Sequence, residues 1–356
     1  MPLRRMGETP MPRKHKMKIS VTTTKLAAAH GMFRIARAAA THFDAAFVTI
    51  EHEGFFGMGE ARPSVYYDGE TVQTVVDVAS QTGPLLGDDP FLLDDIMDRV
   101  SAAFPKAHAS ITAIDMALHD LIGKMLGVPL YKYFGLNPAK TPATSYTISI
   151  EEPAVMAQRA AAVRDFKILK IKLGLGRDVE ILQAIRDVTD MPIRVDANTG
   201  WSKEQAVENL TQLAKFNIEF CEQPVPPGDN AALRFIKERS PIPIMADESS
   251  VTLQDLPGLI GCVDAVNVKL MKCGGMRQAV KMIHFARACG MKVMLGCMVE
   301  TSVAITAAAT LSPMVDYSDL DGNFLLEFDP YIGATNQTGR HILPNRPGPG
   351  TLPRKA

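Results

Sequence analysis

Five apolar runs in the second half of the chain each end on a charged residue: FKILKIK on Lys172, MPIRVD on Asp196, NIEFCE on Glu222, PIPIMAD on Asp247 and DAVNVK on Lys269. The steps between those residues are 24, 26, 25 and 22, about the length of one strand, one helix and two short loops. Helical periodicity fills the intervals. After Asp196, SKEQAVENLTQLAKF opens on Ser202 with Gln205 three residues on, a capping-box pattern, and predicts a buried stripe of Val207, Leu210, Leu213 and Ala214. RQAVKMIHFARAC stops at Gly290, and the next apolar run, KVMLGCM, leads to Glu300 in another strand-end position. This alternation predicts a parallel sheet with crossover helices, which closes most simply as a barrel.

The first part of the chain is patterned differently. KISVTTTKL alternates, and DAAFVTIEHEGFFGMGEA reads as a hairpin turning at Glu53-Gly54. Three helical stretches follow, near 70–86, 90–104 and 109–126. The third carries Ile111, Ile114, Ala117, Leu118 and Leu121 on one face and closes at Gly127. Strands followed by a run of helices indicate an α+β unit, and GLNPAKTPA (135–143) reads as a linker out of it.

Composition narrows the class. At 356 residues the chain exceeds a usual single core, so a large domain plus a smaller one is expected. A net charge of -1 gives no basic excess for nucleic acid, and no apolar stretch is long enough to cross a bilayer. Five cysteines with no CxxC pair read as reduced thiols of a cytoplasmic enzyme. MPLRRMGETPMPRKHK lacks an apolar core, so it is read as a disordered tail, or an upstream start before Met17, rather than a secretory signal.

In a barrel of parallel strands the C-terminal strand ends converge on one mouth. Asp196, Glu222 and Asp247 follow three consecutive strands there, and adjacent strands lie about 4.8 Å apart, so the acids could share one cation. The oxygen-only set suits Mg²⁺, with Mn²⁺ as the alternative, and argues against zinc. Lys170 and Lys172 alternate to one side of their strand and face the mouth. Lys269 stands on the far side. A lysine near another ammonium and a bound cation, and partly desolvated, should have its pKa lowered, letting Lys172 act as a base near neutral pH. Lys272 is read as solvated or paired with an acid.

KIK at 170–172, VDAN at 195–198, CEQP at 221–224, ADES at 246–249, NVKLMKCGG at 267–275 and GCMVETS at 296–302 together resemble the enolase superfamily, muconate-lactonising subgroup. The resemblance covers roughly 17–335. It implies an α/β fold, a (β/α)7β modified TIM barrel under an α+β capping domain. The expected division is a tail at 1–16, a cap at 17–135 completed by 318–356, and a barrel at 136–317. It also implies proton removal α to a carboxylate, by Lys172 and Lys269 with Lys170 auxiliary. Asp196, Glu222 and Asp247 would hold the metal, which offsets charge on the enediolate. No histidine among His108, His119 and His284 ends a barrel strand, which disfavours a histidine base.

DLDGNFLLEFDP (319–330) sets Asp319 and Asp321 at i and i+2, on one side if the strand continues. Asp321-Gly322 is also a turn signal. The D-x-D pattern resembles that of the subgroup's dipeptide epimerases, where it holds the dipeptide ammonium. The resemblance implies two-lysine inversion of the C-terminal residue, with Met298 and Glu300 as further substrate contacts. MFRIARA (32–38) resembles the cap loop of alanyl-glutamate epimerases, making Arg37 the reader of an acidic side chain, with Arg34 second. The alternatives are a lyase of the muconate cycloisomerase or o-succinylbenzoate synthase type, and a non-catalytic barrel binding a small acid. Cap and barrel faces could both pack in a homo-oligomer.

Overall fold

The computed structural model describes residues 16–67 and 69–355, so the expected tail lies outside the described residues except for its last position. Three antiparallel strands, Lys18–Ala27, His42–His52 and Phe55–Ala61, form the first sheet, with the middle strand central. The hairpin turns where it was expected: Glu53 has φ 47° and Gly54 φ 83°, the positive pair a tight two-residue turn requires. Between the first two strands, Phe33–Ile35 pairs with Ala38–Ala40 as a small projecting hairpin.

Helices Val72–Leu86, Leu93–Ala103 and His108–Leu126 follow, the last closed by Gly127 in the left-handed region. Every residue from Ala109 to Gly123 is buried, so the expected single apolar face is only part of the surface this helix hides. One side meets the strand Phe55–Ala61, where a Cβ on Gly57 or Gly59 would stand 2.0 Å from a backbone oxygen of the helix. Another side meets the barrel. Thr112 Oγ1 donates to Leu270 O at 2.6 Å, and Met276 N donates to Asp115 Oδ2 at 2.5 Å.

Eight parallel strands make the barrel: Tyr146–Ile148, Leu169–Lys172, Ile193–Asp196, Ile218–Glu222, Ile244–Ala246, Ala265–Lys269, Lys292–Gly296 and Tyr317–Asp319. A parallel bridge between Thr144 and Ser318 closes the ring. Helices cover the outside, although after the fifth strand only a short turn, Leu256–Leu259, remains. The helix Lys203–Leu213 starts on the expected capping box, Ser202 Oγ accepting from Gln205 N at 3.2 Å and Ser202 N donating to Gln205 Oε1 at 2.9 Å. Its buried stripe is Ala206, Leu210 and Leu213; Val207 is partly exposed and Ala214 exposed, one position off the expected phase.

One apolar core runs through both parts, from Val48, Ile114 and Leu118 to Val195, Val268 and Leu295. The C-terminal segment divides. Leu326 bridges Ala28 on the first sheet, whereas Arg340–Ile342 turns to the barrel base, where Thr144 N donates to Gly339 O at 2.7 Å. Among the described residues no helix is long and apolar enough to cross a membrane.

Candidate active site

Strand register sets the depth of each functional group. Lys172 pairs with Asp196 and Asp196 with Glu222, so three strand ends stand level. Lys269 pairs with Gly296, and Gly296 with Asp319, on the other half of the ring. Asp247 lies one residue beyond its strand. Lys172 and Lys269 occupy the second and sixth of eight strands, which places them opposite one another across the mouth.

Each buried lysine is met by carboxylate. Lys170 Nζ lies 2.7 Å from Glu222 Oε2, 2.7 Å from Asp319 Oδ2 and 3.2 Å from Asp196 Oδ2. Lys172 Nζ is 2.6 Å from the same Asp196 oxygen. On the opposite flank Asp247 takes Lys269 on Oδ2 at 2.7 Å and Lys272 on Oδ1 at 2.5 Å. Lys272, wholly buried, also donates to the backbone oxygens of Asp247 and Asn267, so it pairs with an acid and is not solvated.

These contacts fix the titration. Burial would raise the Asp196 carboxyl, but Lys172 and Lys170 pull it down to about 2. Glu222 goes the other way, to about 7, through burial and the charge of Asp196, with Lys170 opposing. Lys269 shifts upward. Burial does lower it, but Asp247 in direct contact more than compensates and holds it well above its ordinary value. Lys272 is the lysine shifted down, by burial, with Lys269 contributing against Asp247.

The rim is rich in acceptors. Asn198 Oδ1, Glu248 Oε2 and Asn267 Oδ1 are buried without a donor, and Glu222 Oε2 has the Lys170 ammonium beside it but no aligned hydrogen bond. Among the described residues no three acid, histidine or cysteine side chains are drawn around one point as metal ligands, because the lysines hold the acids. The surplus of hard oxygen acceptors nonetheless suits a divalent cation of the Mg²⁺ kind.

Above the rim lies a cavity of about 560 Å³. Lys170, Lys172, Lys269, Asp247, Asp319 and Asp321 line its floor; Asp196 and Glu222 are wholly buried and stand outside its wall. The last strand stops at Asp319, and Asp321 has turn geometry, φ −102° and ψ 6°. The strand does not continue, yet both carboxyls reach the cavity. Ser145 Oγ donates to Asp319 at 2.6 Å and Thr147 N to Asp321 at 2.6 Å. Burial and the neighbouring Asp319 push Asp321 up to about 7.

Met298 lines the wall, and Glu300 does not. Glu300 Oε1 instead accepts from Met298 N at 2.9 Å and shapes that loop, with burial raising its carboxyl to about 8. Arg37 reaches the cavity, but its Nη1 is already bonded to Glu248 Oε1 and Tyr66 stacks on it at 3.8 Å. Arg34 is exposed and outside the wall. Sequence reasoning places the loop 61–70 over the site without assigning a contact to Arg62, Tyr66 or Tyr67, and misses Phe43 and Thr147; all five line the cavity. Arg62, Tyr66 and Tyr67 lie in irregular backbone and Thr147 in a three-residue strand, with no period to mark them, while Phe43 is near the start of the long strand His42–His52. Asn198 and Glu248 adjoin Asp196 and Asp247 in VDAN and ADES, and that adjacency was a usable signal.

Family profiles match the two parts of the chain: the mandelate racemase / muconate lactonizing enzyme N-terminal domain over 18–135, and the enolase C-terminal domain-like profile over 154–356. The chain belongs to the mandelate racemase / muconate lactonizing enzyme family. Within that family it is 43% identical, over 95% of its length and 88% of the relative's, to the L-Ala-D/L-Glu epimerase of Bacteroides thetaiotaomicron. The Enterococcus faecalis dipeptide epimerase, solved with Mg and L-Leu-L-Tyr, superposes with a TM-score of 0.89 at 35% identity, covering 95% of this chain and 99% of that one. The substrate-liganded L-Ala-D/L-Glu epimerase of Bacillus subtilis superposes with a TM-score of 0.90 at 30% identity, with the same coverage.

Proposed function

We propose that this family member is a Mg²⁺-dependent dipeptide epimerase that inverts the α-carbon of the second residue, with L-Ala-D/L-Glu as its substrate. The observation that carries it is Lys172 and Lys269 on opposite sides of one cavity whose floor also holds Asp319 and Asp321. Asp196, Glu222 and Asp247 would hold the ion; Mn²⁺ would satisfy the same oxygens. When bound, it supplies positive charge that offsets the anion forming at the substrate carboxylate.

The chain's own groups do the rest. Asp319 and Asp321 hold the dipeptide ammonium. One of the two lysines takes the α-proton, and the other returns a proton to the opposite face. A base must be neutral, and the carboxylate that favours the charged form of Lys269 is Asp247, while Lys172 touches Asp196. Turned to the ion instead, Asp247 would no longer oppose loss of a proton from Lys269. Lys170, touching Asp196, Glu222 and Asp319 at once, keeps three acids in place. We read 17–135 with the returning 318–356 as the cap, 136–317 as the barrel, and the cytoplasm as the compartment, in keeping with five unpaired cysteines.

The test is α-hydrogen exchange in D₂O with Mg²⁺ present, across a set of dipeptides. Deuterium should enter the second residue alongside inversion. Failure to exchange any dipeptide overturns the reading.

A further inference from the structure

The cavity holds two arginines, and only one of them has an anion. Arg37 is committed to Glu248, whose side chain is fully buried. Arg62 follows the strand Phe55–Ala61 and lines the same cavity. Its guanidinium lies 4.9 Å from the centroid of Phe43, its Nη1 donates only to Pro63 O at 2.6 Å, and its Nε is buried with no acceptor. Among the described residues no carboxylate comes within ion-pair distance of Arg62. Glu300, Asp44 and Glu60 act on it only from further away.

A guanidinium stays charged in proteins, so it cannot relieve burial by losing its proton. A partly buried cation with no anion in contact is costly, and of the wall around it, Phe33, Phe43, Val299 and Leu325, only the Phe43 ring meets the guanidinium. An anionic ligand group entering the cavity would supply the missing contact. In the proposed substrate the C-terminal carboxylate belongs to the rim and the ammonium to Asp319 and Asp321, which leaves the side chain of the second residue. Position is fixed as well: Phe43 supports the guanidinium face, and Arg62 N is anchored on Met271 Sδ at 3.4 Å, two residues past Lys269.

We infer that Arg62, rather than Arg37, is the specificity-determining residue that receives the side-chain carboxylate of an acidic dipeptide. This rests on the epimerase reading and names the group that selects its substrate. An uncharged side chain of the same length would leave Arg62 unanswered in an apolar pocket, so the site should discriminate by charge more than by size.

The experiment compares kcat/KM for L-Ala-L-Glu, L-Ala-L-Gln and L-Ala-L-Leu, by α-deuterium incorporation, in wild type, Arg62→Met, Arg62→Lys and Arg37→Met. Wild type should prefer the glutamate dipeptide. Arg62→Met should reduce that preference about a hundredfold, and Arg62→Lys about tenfold through loss of the planar fork, while Arg37→Met should move it much less. Arg62→Lys keeps the charge and decides the question should Arg62→Met not fold. The inference falls if the Arg62 variants lower all three substrates in proportion, if Arg37→Met shifts the preference more, or if wild type exchanges dipeptides without favouring glutamate. Wild type exchanging no dipeptide sinks the epimerase reading along with it.

Discussion

The barrel rim and the cap wall enclose one cavity by opposite means. At the rim four buried lysines are each answered by carboxylate, within 2.5–3.2 Å. The cap wall is apolar and aromatic, with one arginine paired and one not. Buried ion clusters contribute little net stability, which fits the proposal that these charges act on a substrate. The cap side is fastened by close backbone packing and by acids that accept from barrel N–H groups. Glu60 takes Thr301 N at 2.9 Å and Ala304 N at 3.1 Å. On the proposed function, chemistry common to any substrate would belong to the first surface and choice among substrates to the second.

The largest test of that division removes one rim lysine. Lys172→Met or Lys269→Met should lower epimerisation by roughly a thousandfold or more. Neither change strands an acid, since Asp196 keeps Lys170 at 3.2 Å and Asp247 keeps Lys272 at 2.5 Å, so the fold should survive. Each variant should still exchange the α-hydrogen of one epimer, and the two variants should favour opposite epimers. Exchange confined to the same epimer in both would mean that the lysines do not serve opposite faces.

The contrast also explains what the sequence disclosed. Rim residues sit at a fixed phase at the ends of parallel strands, so Lys172, Asp196, Glu222, Asp247 and Lys269 could be picked out by spacing alone. The direction of the Lys269 shift could not, because it depends on Asp247 arriving within 2.7 Å from a neighbouring strand. The helix Val72–Leu86 was readable near its observed limits, whereas His108–Leu126 looked one-faced because periodicity sees only the widest apolar stripe, not a second partner on the far side. Arg62 and Tyr66 lie in irregular backbone and meet Met271 and the Arg37 loop through space, with nothing local to announce it.

On the cap side the decisive contact is steric. A Cβ on Gly59 would lie 2.0 Å from Ala113 O and 2.8 Å from Met116 Cβ, and the backbone oxygen of a buried helix cannot step aside. Gly59→Ala should therefore cost about 3 kcal/mol, the upper end of overpacking penalties, seen as a lower denaturation midpoint. Gly54→Ala is the control: it has φ 83° but nothing within 4 Å, and should cost only about 1 kcal/mol for the strained turn. Equal losses would show that close packing on the helix does not hold this sheet in place.

His341 isolates what the rim lysines would experience without their acids. It lies on Arg340–Ile342, 2% exposed, and both ring nitrogens are buried without a partner. Burial alone pushes its pKa from 6.5 down to about 4. Between those values the unfolded chain binds a proton that the folded chain refuses, so stability falls as pH falls through that window and is level above it. The loss attributable to this residue between about pH 7 and about pH 5 is roughly 2 kcal/mol. Other groups titrate there too, so the measurement is a difference: denaturant unfolding of wild type and His341→Leu at both pH values. The wild type should lose more stability on acidification than the variant by that amount. Parallel losses would mean that the imidazole is solvated or partnered, and that burial without a counter-charge does not move a titration here.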